Sequence, residues 1–205
     1  LFVLNMLASM LNYVCQLFMA RVLSVESFGT VNTIFSFLLI IGVPGTTLTM
    51  IVSKHYAELE SESLSKNKAD FIAELIKGVS VLAIVIFLLC VIAIVPLSHI
   101  LAIDNIVVLF YTFILGALSF FQPLYSGVFS GNKRFILVGL YSLLIPIYKI
   151  VAVIVAKSAL SEDLSRLYAI LVVMILGTII TAVFGHWQTI KTVGKFSVIK
   201  RPKFK

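Results

Sequence analysis

Lys149 is the one charged residue of this chain that cannot be assigned to a loop or a helix end: it sits inside an apolar run at residues 135–156, three positions after Pro146. A lysine at the centre of a bilayer costs about 2.5–3.5 kcal/mol on insertion scales, so its ammonium is expected to face protein or water. Counted from Phe135, Lys149 lies ~21 Å along its helix, in the far half of a bilayer whose hydrocarbon core is ~30 Å thick. Pro146 has no amide hydrogen, which leaves the Ser142 carbonyl without its usual helix partner, and a membrane tolerates that only beside water or another polar group. Charge and kink therefore predict one aqueous cavity, in which an ammonium attracts an anionic solute. The competing reading is that Lys149, about 9 Å below the nearer membrane face, runs its stem up to that face and snorkels.

A second polar signal lies in the first apolar run. Asn5, Ser9, Asn12 and Gln16 are spaced four, three and four apart, which puts them on one stripe of a helix. Gln16 falls at a depth similar to Lys149, so the two are candidates to line one chamber. The candidate substrate-binding set is thus Lys149, Asn12, Gln16 and Asn5, joined by Gln122 near the inner leaflet in the fourth run. Asn and Gln side chains also glue helices together, at roughly 0.6 kcal/mol per interhelical hydrogen bond, and Gln122 can equally satisfy the kink at Pro123. In the second run Gly42, Val43, Pro44 and Gly45 precede Thr46, Thr47 and Thr49. That order predicts a bend whose freed carbonyls are met by hydroxyls. Pro44, Gly45 and Pro146 are accordingly candidate hinges for a rocking motion, with static packing as the alternative.

The elements that must position these residues follow from composition. Apolar residues make up 60% of the chain and charged residues 12%, with a mean hydropathy of +1.12, which describes an all-α polytopic membrane protein. Six runs of spanning length occur, at residues 1–20, 30–52, 71–95, 106–129, 135–156 and 168–184. They predict a six-helix transmembrane bundle over 1–190 and a basic tail over 191–205. The first run has no basic segment ahead of it and no small-residue cleavage site after it, so it is expected to stay as a span. Leu1 is not an initiator methionine, and further residues are expected ahead of it. Cys15 and Cys90 both lie in apolar runs, where a thiol behaves as a small hydrophobe, so neither disulfide nor metal chemistry is expected. The stretch from Arg21 to Gly29 reads as a tight connection with Ser24 as N-cap, the mixed charges from Lys54 to Lys77 as a solvated extension of the third helix, and Pro96 as the close of that helix.

Positive charges set the orientation. The connections after the second, fourth and sixth runs carry Lys54, Lys66, Lys68 and Lys77, then Lys133 and Arg134, then Lys191, Lys195, Lys200, Arg201, Lys203 and Lys205. The opposite side carries only Arg21, Lys157 and Arg166. The N-terminus, the even-numbered loops and the tail are therefore expected in the cytoplasm. The net charge of +7 then reflects topology and anionic lipid headgroups. A nucleic-acid partner is not expected, since no soluble surface interleaves basic and aromatic residues.

Three stretches carry a resemblance to a known family: 16–29 (Gln-Leu-Phe-Met-Ala-Arg-Val-Leu-Ser-Val-Glu-Ser-Phe-Gly), the turn 131–135 (Gly-Asn-Lys-Arg-Phe), and 195–204 (Lys-Phe-Ser-Val-Ile-Lys-Arg-Pro-Lys-Phe). Together they resemble polysaccharide-biosynthesis flippases of the O-antigen transporter type, in the multidrug, oligosaccharidyl-lipid and polysaccharide exporter superfamily. The resemblance implies two six-helix lobes around a cavity of alternating access, in the cytoplasmic (inner) membrane of a bacterium. It implies export of oligosaccharide carried on undecaprenyl pyrophosphate, as in lipopolysaccharide or capsule synthesis. Implied partners are membrane lipids, a missing C-terminal lobe joined through the basic tail, and glycan polymerase and glycosyltransferases. No cofactor is implied, and an N-terminal lobe by itself is not expected to transport.

Rival readings differ in the acids they need. A multidrug exporter of the same superfamily moves cations and calls for an intramembrane carboxylate. All nine acidic residues, Glu26, Glu58, Glu60, Glu62, Asp70, Glu74, Asp104, Glu162 and Asp163, fall in loops or at helix ends. An enzyme is not expected, because His55, His99 and His186 are scattered and no Ser/His, Cys/His or acidic cluster is visible. A non-transporting membrane scaffold is the remaining alternative. The orientation is tested at the tail: a cysteine at Ser197 is expected to resist an impermeant thiol reagent added outside intact cells, and ready labelling would overturn the topology.

Overall fold

The computed structural model describes residues 1–61, 65–159 and 162–193. They form eight helices: α1 (Phe2–Val22), α2 (Val25–Ser61), α3 (Ser65–Ile92), α4 (Ile94–Leu101), α5 (Ile106–Ser119), α6 (Phe121–Gly131), α7 (Phe135–Ala159) and α8 (Asp163–Val193). There is no strand among the described residues. Six segments are long and apolar enough to cross a membrane: α1, α2, α3, α5 with α6 as one bent span, α7 and α8. The protein is an all-α, multi-pass membrane bundle. Such segments become helices because lipid offers the backbone no hydrogen-bond partner outside its own chain.

Helices outrun the apolar runs that mark them. α2 continues to Ser61 and α3 begins at Ser65, so most of the charged connection between them is helix, formed by both neighbours and not by the third helix alone. Good helix formers such as Ala57, Glu58 and Leu59 let the hydrogen-bond ladder propagate past the membrane at little cost. The basic tail beyond Val193 lies outside the described residues. Two predicted elements are divided. The third run ends at Ile92, and after a turn at Ala93 the short α4 begins. Pro96 does not close α3; it occupies the first turn of α4, where no amide hydrogen is needed. The fourth run breaks at Phe120, since Pro123 cannot donate to the Ser119 carbonyl one turn back. Ser119 turns its hydroxyl onto the Gly116 carbonyl at 2.7 Å.

Two groups of helices make the bundle. α7 lies between α1 and α8, while α2 and α3 flank α5 and α6, and α8 joins the groups by packing on both α5 and α6. The seam of α2 and α6 is very close: a Cβ on Gly127 would stand 2.8 Å from Val52 Cβ, and one on Gly131 would stand 2.7 Å from the Ser53 carbonyl oxygen. Small residues permit this approach, which is the main source of attraction between helices in lipid. Gly45 belongs to the same seam, whereas its neighbour Pro44 is exposed. α2 runs through them without interruption, a Cβ on Gly45 would meet Pro123 Cγ at 2.7 Å, and the Thr49 hydroxyl serves the carbonyls of Gly45 at 3.0 Å and Pro123 at 3.1 Å.

By contrast, α1 and α2 barely touch beyond the turn that joins them. That turn is fastened to α8. Asp163 accepts from the Ser24 amide at 3.0 Å, the Ser24 hydroxyl at 2.5 Å and the Ser27 hydroxyl at 2.6 Å, and Arg166 Nη1 donates to the Val22 carbonyl at 3.0 Å. Ser24 also caps α2 by accepting from the Ser27 amide at 3.2 Å. A stretch expected only to connect is thus the clamp that holds two helices together at one end and lets them diverge below it. Hydrogen bonds to a charged group contribute about 1.5–3 kcal/mol when sheltered and less when solvated. Asp163→Ala is therefore expected to cost about 1–2 kcal/mol, read as a lower midpoint in thermal unfolding in detergent, while Asp104→Ala, at an exposed position, leaves the midpoint unchanged.

Candidate functional site

The divergence of α1 and α2 opens a cavity of about 560 Å³. Its walls are Asn12, Tyr13 and Gln16 from α1, Phe35, Leu38 and Leu39 from α2, Leu115 and Ser119 from α5, and Gln122 from α6. Ile145, Tyr148 and Lys149 of α7 and Met174 and Thr178 of α8 complete it. Depth follows from the helix ends. Asn12 lies ten residues before Val22, Phe35 ten after Val25 and Lys149 ten before Ala159, so each is ~15 Å from the clamped end of the bundle. That is half of a ~30 Å hydrocarbon core. The cavity is centred near the middle of α1 and α7 and reaches toward the opposite end at Gln122.

Lys149 is held from both sides of the divergence. Its ammonium donates to Asn12 Oδ1 at 3.4 Å and sits over the Phe35 ring, 4.3 Å from the centroid. The stem does not run to the nearer face. In a helix the Cα–Cβ bond leans toward the N-terminus, which for α7 is the far end, and α7 continues to Ala159, so the nearer face is more distant than the apolar run suggests. Contact with an aromatic face is worth about 0.5–2 kcal/mol. Of the three ammonium donors, one is spent on Asn12. The other two are left for water or a ligand.

The remaining polar groups bias the cavity in the same direction. Asn12 has committed its carbonyl oxygen to Lys149, which leaves its NH₂ as the available function. Gln16 and Gln122 make no side-chain hydrogen bond among the described residues and keep free amides. Ser119 and Thr178 spend their hydroxyl protons within their own helices, on Gly116 O at 2.7 Å and Met174 O at 2.8 Å. No acidic side chain lines the cavity among the described residues. A mid-membrane chamber with one fixed cation, several amide donors and no carboxylate is suited to an anionic or polyhydroxylated solute, because charge attraction grows as the dielectric falls.

Lys149 of α7, Asn12 and Gln16 of α1 and Gln122 of α6 are thus brought together from three helices far apart in sequence. Asn5 is not: it is exposed, lies outside the lining, and takes the Ser9 hydroxyl on its main-chain oxygen at 3.0 Å. Pro146 is buried in α7 one turn before Lys149, whereas Pro44 is exposed on α2. Sequence reasoning missed Phe35 and Tyr148, since an aromatic in an apolar run carries no mark of facing a cavity. It also missed the partnership of Ser24 with Asp163, which are 139 residues apart. Among the described residues no group of three or more His, Cys, Asp or Glu is gathered to hold a metal ion.

No protein-family model, curated protein or solved structure matches the chain, so function is argued from the cavity itself. Its wetness is directly measurable. With Cys15 and Cys90 replaced by serine, single cysteines at Asn12 and Gln122 are expected to react with a small water-soluble thiol reagent in membranes, and one at Ile114 is expected to stay unreactive. Equal protection of all three would show the cavity to be dry.

Proposed function

We propose that this chain is one lobe of an alternating-access exporter for lipid-linked oligosaccharide with an anionic link, such as undecaprenyl pyrophosphate. The observation that carries this reading is Lys149, an ammonium at mid-depth in a donor-rich cavity without a carboxylate. In this reading the ammonium attracts the pyrophosphate or an acidic sugar, and the amides of Asn12, Gln16 and Gln122 bind glycan hydroxyls. A second lobe closes the cleft between α1 and α2, and rocking of the lobes exposes the cavity to each face in turn. The clamp of Asp163 and Ser24 closes the end away from the Lys133 loop, and the positive-inside bias supports an orientation with that end outside the cell. The setting is the inner membrane of a bacterium, next to the glycosyltransferases that build the substrate and the polymerase that consumes it. The resemblance of 16–29, 131–135 and 195–204 to O-antigen-type flippases supports the same class.

A multidrug exporter would present an acid to its cationic cargo, and a scaffold would have no use for a solvated mid-membrane charge. Both are weaker fits to this cavity. The test is export of lipid-linked glycan by the full transporter at matched membrane levels. Lys149→Arg is expected to keep most of the export although a planar guanidinium is an imperfect substitute for a point charge. Lys149→Ala is expected to lose about tenfold or more, the consequence of removing a charge-assisted contact worth roughly 1.5–3 kcal/mol. Insertion should not suffer, since deleting an intramembrane charge eases it. Normal export by Lys149→Ala would end the proposal.

A further inference from the structure

A second concavity lies between α3 and the bent span of α5 and α6, a groove of about 400 Å³. Ala83, Ile84 and Phe87 of α3 line one wall and Ile114, Ala117 and Leu118 of α5 the other, with Phe121 at the α6 end. None of these residues lines the chamber. The chamber takes Leu115, Ser119 and Gln122 from the same span, and those positions occupy a different face of it.

The groove follows from the break at Phe120. α3 passes this level as one unbroken helix to Ile92, and a continuous helix loses contact with a bent one at the bend. Contact is kept at the two ends: Phe87 meets Phe110 edge-on with centroids 5.5 Å apart, and Val79 is buried in one cluster with Phe120 and Leu124. Between these ends the small side chains of Ala83 and Ala117 leave the space open.

The surroundings and the width of the groove select its occupant. Ser80 is the one polar lining residue among the described residues, and its hydroxyl proton is spent on the Ile76 carbonyl at 2.7 Å. A bound water needs two to four polar partners, so water has no site here. An empty groove forfeits the dispersion contacts of both walls. Ile84 is 59% exposed inside a segment that spans the membrane, and what it is exposed to there is hydrocarbon. Spread along the rise of ~10 Å from Ile114 to Phe121, the volume of about 400 Å³ gives a cross-section of ~40 Å², half of what a helix of ~10 Å diameter fills. A single hydrocarbon chain fits where a helix does not.

We propose that this groove is a binding site for one acyl chain of a bilayer phospholipid, laid along α5 from Ile114 to Phe121 and bracing the span where its backbone breaks. The walls hold the chain by shape, and no charged group reaches it. The site therefore selects a chain and not a headgroup. This inference rests on the membrane-spanning fold and is independent of what the chamber carries.

The test uses the whole chain in nanodiscs that contain a trace of phospholipid with a photoactivatable diazirine midway along one acyl chain, with insertion sites mapped by mass spectrometry. Ile84 is expected to take up label several-fold faster than Leu176 of α8, which is nearly as exposed, at 54%, but lies outside the groove. Ala117→Phe fills the groove and is expected to bring Ile84 down to the level of Leu176 while Leu176 itself is unchanged. Exchange of phosphatidylglycerol for phosphatidylcholine is expected to leave the pattern intact. Labelling of Ile84 no faster than Leu176 in the unmodified chain overturns the proposal without recourse to any variant; slower labelling would mark the groove as a contact between two copies of the chain. Undiminished labelling of Ile84 in an Ala117→Phe protein of normal thermal midpoint overturns it as well. So does loss of the label to a trace of added polyprenyl phosphate, which would make the occupant an isoprenoid chain.

Discussion

An ammonium group halfway across a bilayer must be solvated by the protein that carries it, and much of this bundle is arranged around that requirement. Lys149 donates one hydrogen bond to Asn12 and rests on the aromatic face of Phe35, which together offset only part of the several kcal/mol that a buried ion loses on leaving water. Water or a ligand has to supply the rest. A space must therefore stand open next to the charge, and α1 and α2 leave one by diverging. The side-chain lean of α7 removes the alternative, because it points the stem away from the nearer face.

An open cleft in a membrane bundle weakens it unless the remaining seams are tight. Lipid tails are as apolar as leucine, so helices gain little from hiding hydrophobic surface and must gain from close contact and hydrogen bonds instead. The seam of α2 and α6 does this with Gly45, Gly127 and Gly131, and Thr49 bonds carbonyls on both sides of it. The seam of α8 does it by seating Tyr148 and Tyr125 on glycines. At the end of the bundle, where water is within reach, the fastening changes character and becomes the hydrogen bonds of Asp163 and Arg166 to the turn between α1 and α2. Divergence at mid-depth and closure at one end are two sides of the same arrangement.

The break between α5 and α6 serves the cavity as well. A continuous helix through Pro123 would leave the Ser119 carbonyl unpaired in the bundle. Ending α5 at Ser119 and restarting at Phe121 moves that irregular backbone to the cavity wall, where Ser119 and Gln122 both face the chamber. Irregular backbone within a membrane is tolerable where it lines water-filled space. α3 and α4 line none of this chamber and pack against α5 from its other side.

Hydropathy by itself determined the class, the six spans and the position of the one intramembrane charge, because lipid forces spanning segments to be helical and makes every exception costly. The helical spacing of Asn12 and Gln16, and the isolation of Lys149, marked three cavity residues, and Gln122 was visible as a polar residue beside a proline. Asn5 shares that spacing yet lies outside the chamber, since a stripe records which face of a helix a residue occupies and not what stands opposite it. The same limit hid Phe35, Tyr148 and the clamp of Ser24 with Asp163, whose partners come from helices remote in the chain. Helix ends, too, were misjudged where polar helix formers carried the backbone ladder beyond the membrane. One-dimensional periodicity fixes faces and depths; which faces meet, and where a gap is left between them, is settled by packing among all the helices at once, and only the tertiary structure holds that.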